Sequence, residues 1–463
     1  MASYDFVVIG GGSAGYFAAT TAARLGLKTV CIEGGDQVGG LCILRGCMPS
    51  KTLIESANRF LTLRRAAEFG LSAGHSAFDS KAIIQRKRDL IGGFADYRVC
   101  QLTGGEFEFM RGRAEFRDPY HVQVQLRVGG QEEIAGKTFL ISTGSVVNVV
   151  NLPGLSEVGF LDSDTALDTD HFPRSVVILG GGAIALEFAH FYNALGLEVT
   201  ILQRSKQVIK EADPDVAEAL VSAFRNRGIK VICGTKLVRV ERTATGKRVR
   251  YEQDGEEQVA DGDEIFYALG RKPAVQGLGL EKAGVETNKQ SAVVVNASLQ
   301  TSQSHIFAAG DVIGLYEIVH IAIQQAELAA RNAGRLLECK DLAKIDYRLK
   351  MFAMFPEPQV AVAGISEREA AEQRLEVRVA KYPFNDHGKS IIRGETEGFV
   401  KLITDAKSGE IIGGAVVGPE ASELIHEIVV AMHFHATAAT LASIPHYHPT
   451  LSEIWTYPAE ALA

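Results

Sequence analysis

The sequence carries the same glycine-rich pattern twice, and this internal repeat restricts the possible folds more than any other feature. The apolar residues 6–9 lead into GGGSAG at residues 10–15, and the apolar residues 176–179 lead into GGGAIA at residues 180–185. Corresponding positions lie 170 residues apart. A helix-like apolar pattern and a second apolar strand follow each copy. Each copy therefore predicts the strand–turn–helix–strand unit that is typical of dinucleotide binding.

The spacing that the two copies share assigns a separate physical role to three positions of each motif. The first makes a tight turn, the third lets the backbone approach a pyrophosphate, and the sixth lets the helix pack closely on its strand. These positions are Gly10, Gly12 and Gly15 in the first copy and Gly180, Gly182 and Ala185 in the second. A pyrophosphate is expected at each helix N-terminus, where free N–H groups and the helix dipole favour anions.

Composition and charge narrow the class of protein. A length of 463 residues predicts about three domains. The net charge of −8 argues against a general nucleic-acid or anionic-membrane binder. No stretch reaches the ~18 apolar residues of a membrane span, and the first residues lack the basic segment of a secretory signal. We therefore expect a cytoplasmic protein with neither a membrane nor a nucleic acid as partner.

Two of the six cysteines are close in sequence. Cys42 and Cys47 are separated by four residues that include Gly46, and Pro49 suits the first turn of a following helix. Cys47 would then lie at a helix N-terminus, where the dipole favours the thiolate. A redox-active pair is favoured in a cytosolic protein, and two core thiols or half of a zinc site are the alternatives. Zinc normally needs four ligands and no second cysteine pair exists, so His446 and His448 would have to complete the site; we expect no metal.

The order of motifs along the chain resembles that of the class I flavin-dependent pyridine nucleotide–disulfide oxidoreductases. This family includes dihydrolipoamide dehydrogenase, glutathione reductase and mercuric reductase. The resemblance covers essentially the whole chain. Its motifs are the first glycine motif, Cys-x4-Cys, STG at 142–144, the second glycine motif, GRKP at 270–273, AGD at 309–311 and HPTLSE at 448–453.

The resemblance implies two cofactors, FAD and NAD(P). It implies that Glu33 binds the adenosine ribose of FAD and that Asp311 accepts hydrogen bonds from the ribityl chain. Carboxylates suit both roles because they only accept hydrogen bonds when ionised. The further residues that we assign to cofactor binding are Thr143, Gly144 and Gly270.

The resemblance also implies the catalytic residues. Cys47 would be the charge-transfer thiol near the flavin, and Cys42 the interchange thiol that faces the substrate. Lys51 and Glu187 would form an ion pair beside the flavin and nicotinamide. His448 would be the acid–base, oriented by the Glu453 carboxylate. In the family this histidine reaches the disulfide of the partner subunit, so a homodimer is expected.

The expected fold class is α/β, with two doubly wound Rossmann-like domains and a C-terminal α+β dimerisation domain. We predict an FAD-binding domain at residues 1–146 and an NAD(P)-binding domain at 147–274. A central segment at 275–345 would complete the FAD site, and the dimerisation domain would span 346–463.

The nicotinamide preference is predicted from the repeat. Gln203 occupies the position of Glu33 in the second copy, so the carboxylate that would repel the 2′-phosphate of NADP is missing. Arg204 and Lys206 follow and favour NADPH. The alternative is that both are solvated charges after a strand.

Within the family, the chain is most similar to dihydrolipoamide dehydrogenase. The resemblance therefore implies a small-molecule or lipoyl-type disulfide or dithiol as the substrate. No cysteine follows Cys339, so the C-terminal cysteine pair of mercuric reductase is missing, and Leu44 stands where the family usually has Asn. A low-molecular-weight disulfide reductase and a quinone or metal reductase on the same scaffold are the alternatives. The paired cysteines and His448 argue against a non-catalytic flavoprotein that acts as a redox sensor.

Overall fold

The structure is a computed structural model that describes residues 1–74 and 76–463. The chain forms two compact units, each assembled from three separate segments. The first unit contains Met1–Ser50, Ile84–Val149 and Gly270–Ile345, and the second contains Lys51–Ile83, Val150–Leu269 and Asp346–Ala463. The three boundaries expected from the sequence between these four segments stay predictions.

The first unit is built on a sheet whose central strand, Ala2–Ile9, starts the first glycine motif. That strand pairs in parallel with Thr29–Glu33 on one side and Gln131–Ile141 on the other. Ile306–Ala308 extends the parallel sheet beyond Gln131–Ile141. The helices Ser13–Arg24 and Val319–Leu337 pack against each other, and their alanine-rich faces are buried in the core.

The remaining elements of the first unit surround this sheet. A short ladder joins Ser145–Val147 to Arg271–Pro273, and an antiparallel strand joins Glu108–Asp118 to Gln131–Ile141. The antiparallel strand that joins them is His121–Leu126. The helices of this unit are Gly40–Leu44 and Ser80–Leu102, which begins in the second unit, and a 3₁₀ turn spans Asp311–Ile313.

The second unit repeats the nucleotide-binding arrangement. Its five-stranded parallel sheet has the order Lys230–Cys233, Glu198–Gln203, Ser175–Leu179, Glu264–Tyr267, Leu161–Asp162. The helix Ala183–Ala194 follows the second glycine motif and has 12 residues, as does its counterpart Ser13–Arg24. Both ends of the two helices correspond at the offset of 170 residues, which confirms the repeat predicted from the sequence.

A three-stranded antiparallel meander and an α+β sheet complete the second unit. The meander consists of Lys236–Arg242, Lys247–Gln253 and Glu256–Gly262. The five strands of the last sheet have the order Met351–Met354, Gln359–Gly364, Ile411–Gly418, Phe399–Asp405, Val377–Pro383, all antiparallel. The two nucleotide-binding sheets and this α+β part confirm the expected fold class.

The helices of the second unit lie along the sheets and at the C-terminus. The helix Ala421–His433 packs on the antiparallel sheet through Leu424, Ile425 and Ile428. The other helices are Cys47–Arg64, which begins in the first unit, Leu155–Val158, Pro214–Asn226, Glu367–Glu372, Gly388–Arg393, Ala438–Ser443 and Thr456–Leu462, with 3₁₀ turns at Ala66–Phe69, Phe384–Asp386 and Ser452–Trp455. Among the described residues, no helix is both long enough and apolar enough to span a membrane.

Candidate active site

The first glycine motif forms a turn that only glycine fits. Gly10 has a φ of +107°, and a Cβ there would lie 2.5 Å from the carbonyl oxygen of Ser142. A Cβ on Gly15 would collide with the carbonyl oxygen of Gly10. The helix therefore starts directly against the strand end, with its free N–H groups at the surface where a pyrophosphate would bind.

Glu33 lies at this turn, at the end of the strand Thr29–Glu33. Its carboxylate accepts hydrogen bonds from the backbone N–H of Gly11 at 2.8 Å and of Gly35 at 2.5 Å. Two backbone donors hold the carboxylate beside the glycine motif. This is the place where a ribose hydroxyl of a dinucleotide could donate to it.

A second glycine-rich segment covers the start of the same helix. The Cα of Gly40 lies 3.6 Å from the position that a Cβ on Gly12 would take. Gly40 is the first residue of the short helix that carries Cys42. The packing of one glycine on the other thus places the Cys42 helix beside the predicted pyrophosphate site.

Asp311 belongs to a polar group that follows the strand Ile306–Ala308, which is parallel to Ala2–Ile9 and ends at the same edge of the sheet. Its Oδ2 accepts a hydrogen bond of 2.7 Å from the Ser145 hydroxyl, and Arg271 donates to the same Ser145 oxygen at 3.0 Å. Burial raises the pKa of Asp311 above its ordinary value, against the opposing effects of the Ser145 hydrogen bond and the Arg271 charge. The carboxylate is therefore a strong acceptor in a desolvated position.

The loop before Ser145 leaves a buried polar atom without a partner. Thr143 Oγ1 is inaccessible and has no hydrogen bond to any described residue. Gly144 and Gly270 have φ values of +72° and +102°, and the N–H of Asn148 donates to the Gly270 carbonyl oxygen at 3.1 Å. An orphaned hydroxyl beside a desolvated carboxylate fits a polar bound group. The residues of the first unit thus fit the flavin nucleotide that the sequence predicts.

The two paired cysteines flank a tight turn. Cys42 lies in the helix Gly40–Leu44, and Cys47 is the first residue of the helix Cys47–Arg64. A Cβ on Gly46 would lie 3.0 Å from the Leu41 carbonyl oxygen and 3.4 Å from the Cys42 Cα, so a larger residue would crowd this turn. Both thiols are half-buried. The position of Cys47 at the start of an 18-residue helix exposes its sulfur to N–H groups that favour a negative charge.

Arg98 is a residue that the sequence analysis did not identify. Its guanidinium carbon lies 4.2 Å from the centre of the Tyr16 ring. Its Nε and Nη1 atoms are buried and have no hydrogen-bond partner among the described residues. Burial lowers the pKa of Arg98, and the charges of Tyr16 and Cys42 oppose this shift. Arg98 therefore provides an unsatisfied positive charge in the electrostatic range of the Cys42 thiol.

Lys51 and Glu187 form an ion pair in the second unit. The Lys51 ammonium lies 2.8 Å from both carboxylate oxygens of Glu187. The backbone N–H of Phe355 donates to Glu187 Oε1 at 3.2 Å, and the Phe355 ring centre lies 4.8 Å from the Lys51 nitrogen. The glutamate side chain is only 6% exposed, so these partners replace water in stabilising its negative charge.

His448 and Glu453 also meet. His448 Nδ1 lies 2.9 Å from Glu453 Oε2. The imidazole is 77% exposed, whereas the carboxylate side chain is 9% exposed. A buried carboxylate on Nδ1 fixes the tautomer and leaves Nε2 directed to the outside. Such a pair can accept a proton at Nε2 and stabilise the resulting imidazolium.

The second glycine motif has the same turn but a more open helix start. Gly180 has a φ of +113°, and a Cβ on it would collide with the Ala268 carbonyl oxygen. No described atom lies within 4 Å of the corresponding position on Gly182, and Ala185 is fully buried against the strand. The N-terminus of this helix is therefore accessible to a nucleotide.

The two residues predicted to distinguish NADPH from NADH lie at the end of the strand Glu198–Gln203, with Gln203 as its last residue and Arg204 directly after it. Gln203 donates to the Gln207 carbonyl oxygen at 3.2 Å, which holds its amide beside Gly181. Arg204 is exposed. The structure thus places a neutral acceptor where Glu33 stands in the first unit, with an exposed cation next to it.

Three carboxylates that could geometrically hold a metal ion lie away from these residues. They are Asp213, Asp215 and Glu367. The Lys401 ammonium, which is fully buried, lies 2.8 Å from Asp213 and from Glu367 and 2.9 Å from Asp215. The group is an ion-pair network in which the lysine takes the place that a cation would need.

Three contacts connect residues that are distant in sequence: Phe355 with Glu187, Arg98 with Tyr16, and His387 with Glu453. The first residue of each pair belongs to no motif and follows no spacing rule. Only the tertiary structure brings Phe355 to Glu187, 168 residues away. In the sequence, His387 stands in the polar run at residues 385–390, which gives no sign that its side chain is buried.

The chain matches known proteins over nearly its whole length. The family model described as pyridine nucleotide-disulphide oxidoreductase matches residues 4–326, and the dimerisation domain of the same family matches residues 352–459. A dihydrolipoyl dehydrogenase from Mycobacterium leprae is 35% identical over 458 residues, with 98% of this chain and 97% of the relative covered.

Two further matches extend this finding. A mercuric reductase from Bacillus cereus is 32% identical and covers 97% of this chain, whereas this chain covers 70% of that protein. The HOCl-induced flavoprotein disulfide reductase RclA from Escherichia coli superposes with a TM-score of 0.85 at 26% identity and 99% coverage of both chains.

Proposed function

Because the chain belongs to the pyridine nucleotide–disulfide oxidoreductase family, we propose that it catalyses a dihydrolipoamide dehydrogenase-like reaction on a lipoyl-type dithiol. It is an FAD-dependent NAD(P)–disulfide oxidoreductase. The proposal is supported by relatives named dihydrolipoyl dehydrogenase that match almost end to end. We also propose that the protein is cytoplasmic, because small thiols are kept reduced in the cytoplasm.

The residues of the first unit would hold FAD, which when bound transfers electrons between the nicotinamide and the protein dithiol. Gly12 and the start of the helix Ser13–Arg24 would receive the pyrophosphate. Glu33 would accept from the ribose, and Asp311 with Thr143 from the ribityl chain. The remaining positions proposed for the same site are Gly10, Gly15, Gly144 and Gly270.

Cys42 and Cys47 would form the redox-active pair. In the oxidative direction, a substrate thiolate attacks the Cys42 sulfur of the disulfide, which forms a mixed disulfide and releases Cys47 as a thiolate. The second substrate thiol then displaces Cys42, so the substrate leaves as a disulfide and both protein sulfurs are reduced. The N-terminal position of Cys47 supports its release as an anion.

His448 would move the proton in these steps. Its Nε2 takes the proton from the attacking thiol, and Glu453 stabilises the imidazolium through Nδ1. The observation that carries the proposal is this exposed imidazole held on a buried carboxylate. In a homodimer formed through residues 352–459, the His448 imidazole would reach the dithiol of the second copy. This role requires an imidazole that is exposed on the single chain, as His448 is.

Lys51 and Glu187 would lie beside the reacting cofactors as a neutralised pair. NADPH would be the preferred nicotinamide, bound over Gly180, Gly182 and Ala185, with Arg204 on its 2′-phosphate. The exposed guanidinium matches the geometry of phosphate oxygens, and Gln203 does not repel them.

The proposal is tested with the purified holoenzyme in two half-reactions. Reduction by dihydrolipoamide and reduction by NADPH or NADH are followed separately by rapid mixing. The change His448→Ala is expected to slow the dithiol half-reaction by about 10²–10⁴-fold and to leave the nicotinamide half-reaction nearly unchanged. His446→Ala is the matched control, because His446 pairs with Glu427 instead of Glu453.

A panel of other disulfides, quinones and Hg(II) or Cu(II) distinguishes the alternatives. Fast turnover of one of them, with slow reaction of lipoamide, would overturn the proposed substrate. Equal slowing of both half-reactions in the His448 variant would make that residue structural.

A further inference from the structure

The carboxylate of Glu453 contacts two imidazoles. Its Oε2 lies 2.9 Å from His448 Nδ1, and its Oε1 lies 3.3 Å from Nε2 of His387. The two histidines differ strongly in exposure: His448 is 77% exposed, and the His387 side chain is fully buried. The glutamate therefore connects a surface imidazole to an interior one.

His387 is held in one orientation by its surroundings. It lies between the 3₁₀ turn Phe384–Asp386 and the helix Gly388–Arg393. Its Nδ1 lies 2.9 Å from the Ser390 hydroxyl, which can donate to it. The proton of a neutral His387 then lies on Nε2, the nitrogen that faces Glu453.

Burial lowers the pKa of His387, against the opposing effects of the Glu453 carboxylate and the Thr450 backbone. The nearby charge of His448 lowers it further. When His448 becomes an imidazolium, a second cation on the same carboxylate is disfavoured. His387 is therefore neutral during the proton transfers assigned to His448, and it can only donate one hydrogen bond to Glu453.

The His387 Nε2 atom is buried and makes no well-aligned hydrogen bond among the described residues, although Glu453 Oε1 is 3.3 Å away. At 3.3 Å the buried imidazole N–H and the carboxylate attract each other even without ideal alignment. Since an unsatisfied buried donor costs free energy, this contact favours the observed position of Oε1.

We propose that His387 is a positioning residue, which holds Glu453 and through it aims His448 for proton exchange with the substrate dithiol. The inference rests on the proposed acid–base role of His448. A hydrogen bond to Oε1 restricts the carboxylate to the rotamer in which Oε2 meets Nδ1. It also draws negative charge from Glu453, which moderates the attraction between this carboxylate and the imidazolium of His448.

The other ionisable groups around the cluster are fixed in pairs of their own. The Tyr457 ring meets the His387 ring edge-on, and it stacks on Tyr382, whose hydroxyl donates to Asp386. His446 lies 2.6 Å from Glu427. The surrounding ionisable groups are Glu453, His448, His446, Glu427, Asp386, Tyr382 and Tyr457.

The test compares two replacements of His387 in the holoenzyme. His387→Phe keeps an aromatic ring but removes the donor, and His387→Gln keeps an amide N–H near the position of Nε2. We expect His387→Phe to slow reduction by dihydrolipoamide by about 10-fold, the effect of losing one hydrogen bond to a charged group. His387→Gln should recover most of this rate.

The pH profile separates positioning from a general structural defect. Without the donor, Glu453 stabilises the His448 imidazolium more strongly, so the rising limb of the dithiol half-reaction should move to higher pH in His387→Phe. Reduction by NADPH should keep its rate and profile. Ser390→Ala removes the partner of Nδ1, and a smaller shift in the same direction is expected from it even if His387→Phe fails to fold.

The outcomes distinguish this inference from the role of His448. If His448→Ala slows the dithiol half-reaction while the His387 and Ser390 variants keep the wild-type rate and pH profile, the positioning role is wrong and the acid–base role stands. If His448→Ala has no effect, the proposed function itself is overturned. Parallel losses in both half-reactions, without a pH shift, would also reject positioning.

Discussion

The ammonium of Lys51 lies 2.8 Å from both carboxylate oxygens of Glu187, yet the two charges are unequally buried. The Lys51 side chain is 32% exposed and that of Glu187 is 6% exposed. Removing the lysine thus leaves a buried anion, whereas removing the glutamate charge leaves a cation that water can reach.

This asymmetry predicts unequal losses of stability. Lys51→Met should lower the free energy of unfolding by about 3 kcal/mol, and Glu187→Gln by about 1 kcal/mol. The double variant should be more stable than Lys51→Met alone, because it contains no unpaired buried charge. Urea unfolding of the three holoenzyme variants measures these differences, and equal losses in the two single variants would contradict the buried-anion argument.

The two thiols are expected to behave differently after replacement. Cys47→Ser should abolish the long-wavelength absorbance of a thiolate next to oxidised flavin, since Cys47 is placed at the helix start. Cys42→Ser should show that absorbance without added substrate. Both variants should lose disulfide turnover. Visible spectra of the purified proteins test this, and a retained band with retained turnover in both would mean that the dithiol is assigned to the wrong residues.

Nicotinamide preference is expected to depend on Arg204. A charge-assisted hydrogen bond contributes about 1.5–3 kcal/mol, so Arg204→Ala should raise the KM for NADPH by about 10- to 150-fold and barely change that for NADH. Lys206→Ala, at an exposed neighbouring cation, is the control for a general charge effect.

Gln203→Glu should shift preference towards NADH, because the new carboxylate accepts from the ribose and repels the phosphate. Steady-state kinetics with both nucleotides measures the ratio. A wild-type preference for NADH that does not move in Arg204→Ala would identify Arg204 as a surface charge only.

Arg98 should influence the reactivity of Cys42. Its buried guanidinium has two nitrogens without hydrogen-bond partners among the described residues, and its charge interacts with the Cys42 thiolate. Arg98→Met should therefore raise the pH at which Cys42 of the reduced enzyme is alkylated by iodoacetamide, and Arg98→Lys should restore most of the difference. Identical alkylation profiles in wild type and Arg98→Met would show that the two groups do not interact.

Lys401 should stabilise the second unit in a pH-dependent way. Burial raises the pKa of Asp215, but its bonds to Lys381 and Lys401 outweigh this and leave the value lowered. A carboxyl with a lowered pKa contributes stability above its unfolded pKa and loses it as the pH falls through the folded value. Lys401→Met should lower the free energy of unfolding by about 3–5 kcal/mol near neutral pH and by less at acidic pH. Urea unfolding at several pH values tests this; a constant difference across pH would exclude the charge network as its origin.

The repeat shows what the sequence was able to predict. Gly10 and Gly180 both adopt φ values above +100°, and the helices after them correspond residue by residue. These features are local, because strand, turn and helix follow one another within a few residues. The proximity of Lys51 to Glu187 was expected from the resemblance, and the structure brings the two together. Their role in the reaction stays a prediction.

The contacts that were not predicted join distant parts of the chain. Arg98 meets Tyr16, and His387 meets Glu453, only through the tertiary structure. A buried histidine and an arginine on a long helix have no spacing that distinguishes them from ordinary polar residues. The partners of these side chains are decided by packing, which one sequence does not reveal.

The two glycine motifs have the same turn but differ in what lies over the helix start. At Gly12 the backbone of Gly40 covers the helix N-terminus, whereas around Gly182 the described residues leave open space. A nucleotide at the first motif would therefore pack against the Gly40 backbone, whereas the same space at the second motif is free. From this difference we expect the first copy to hold its nucleotide more tightly and the second copy to exchange its nucleotide more readily.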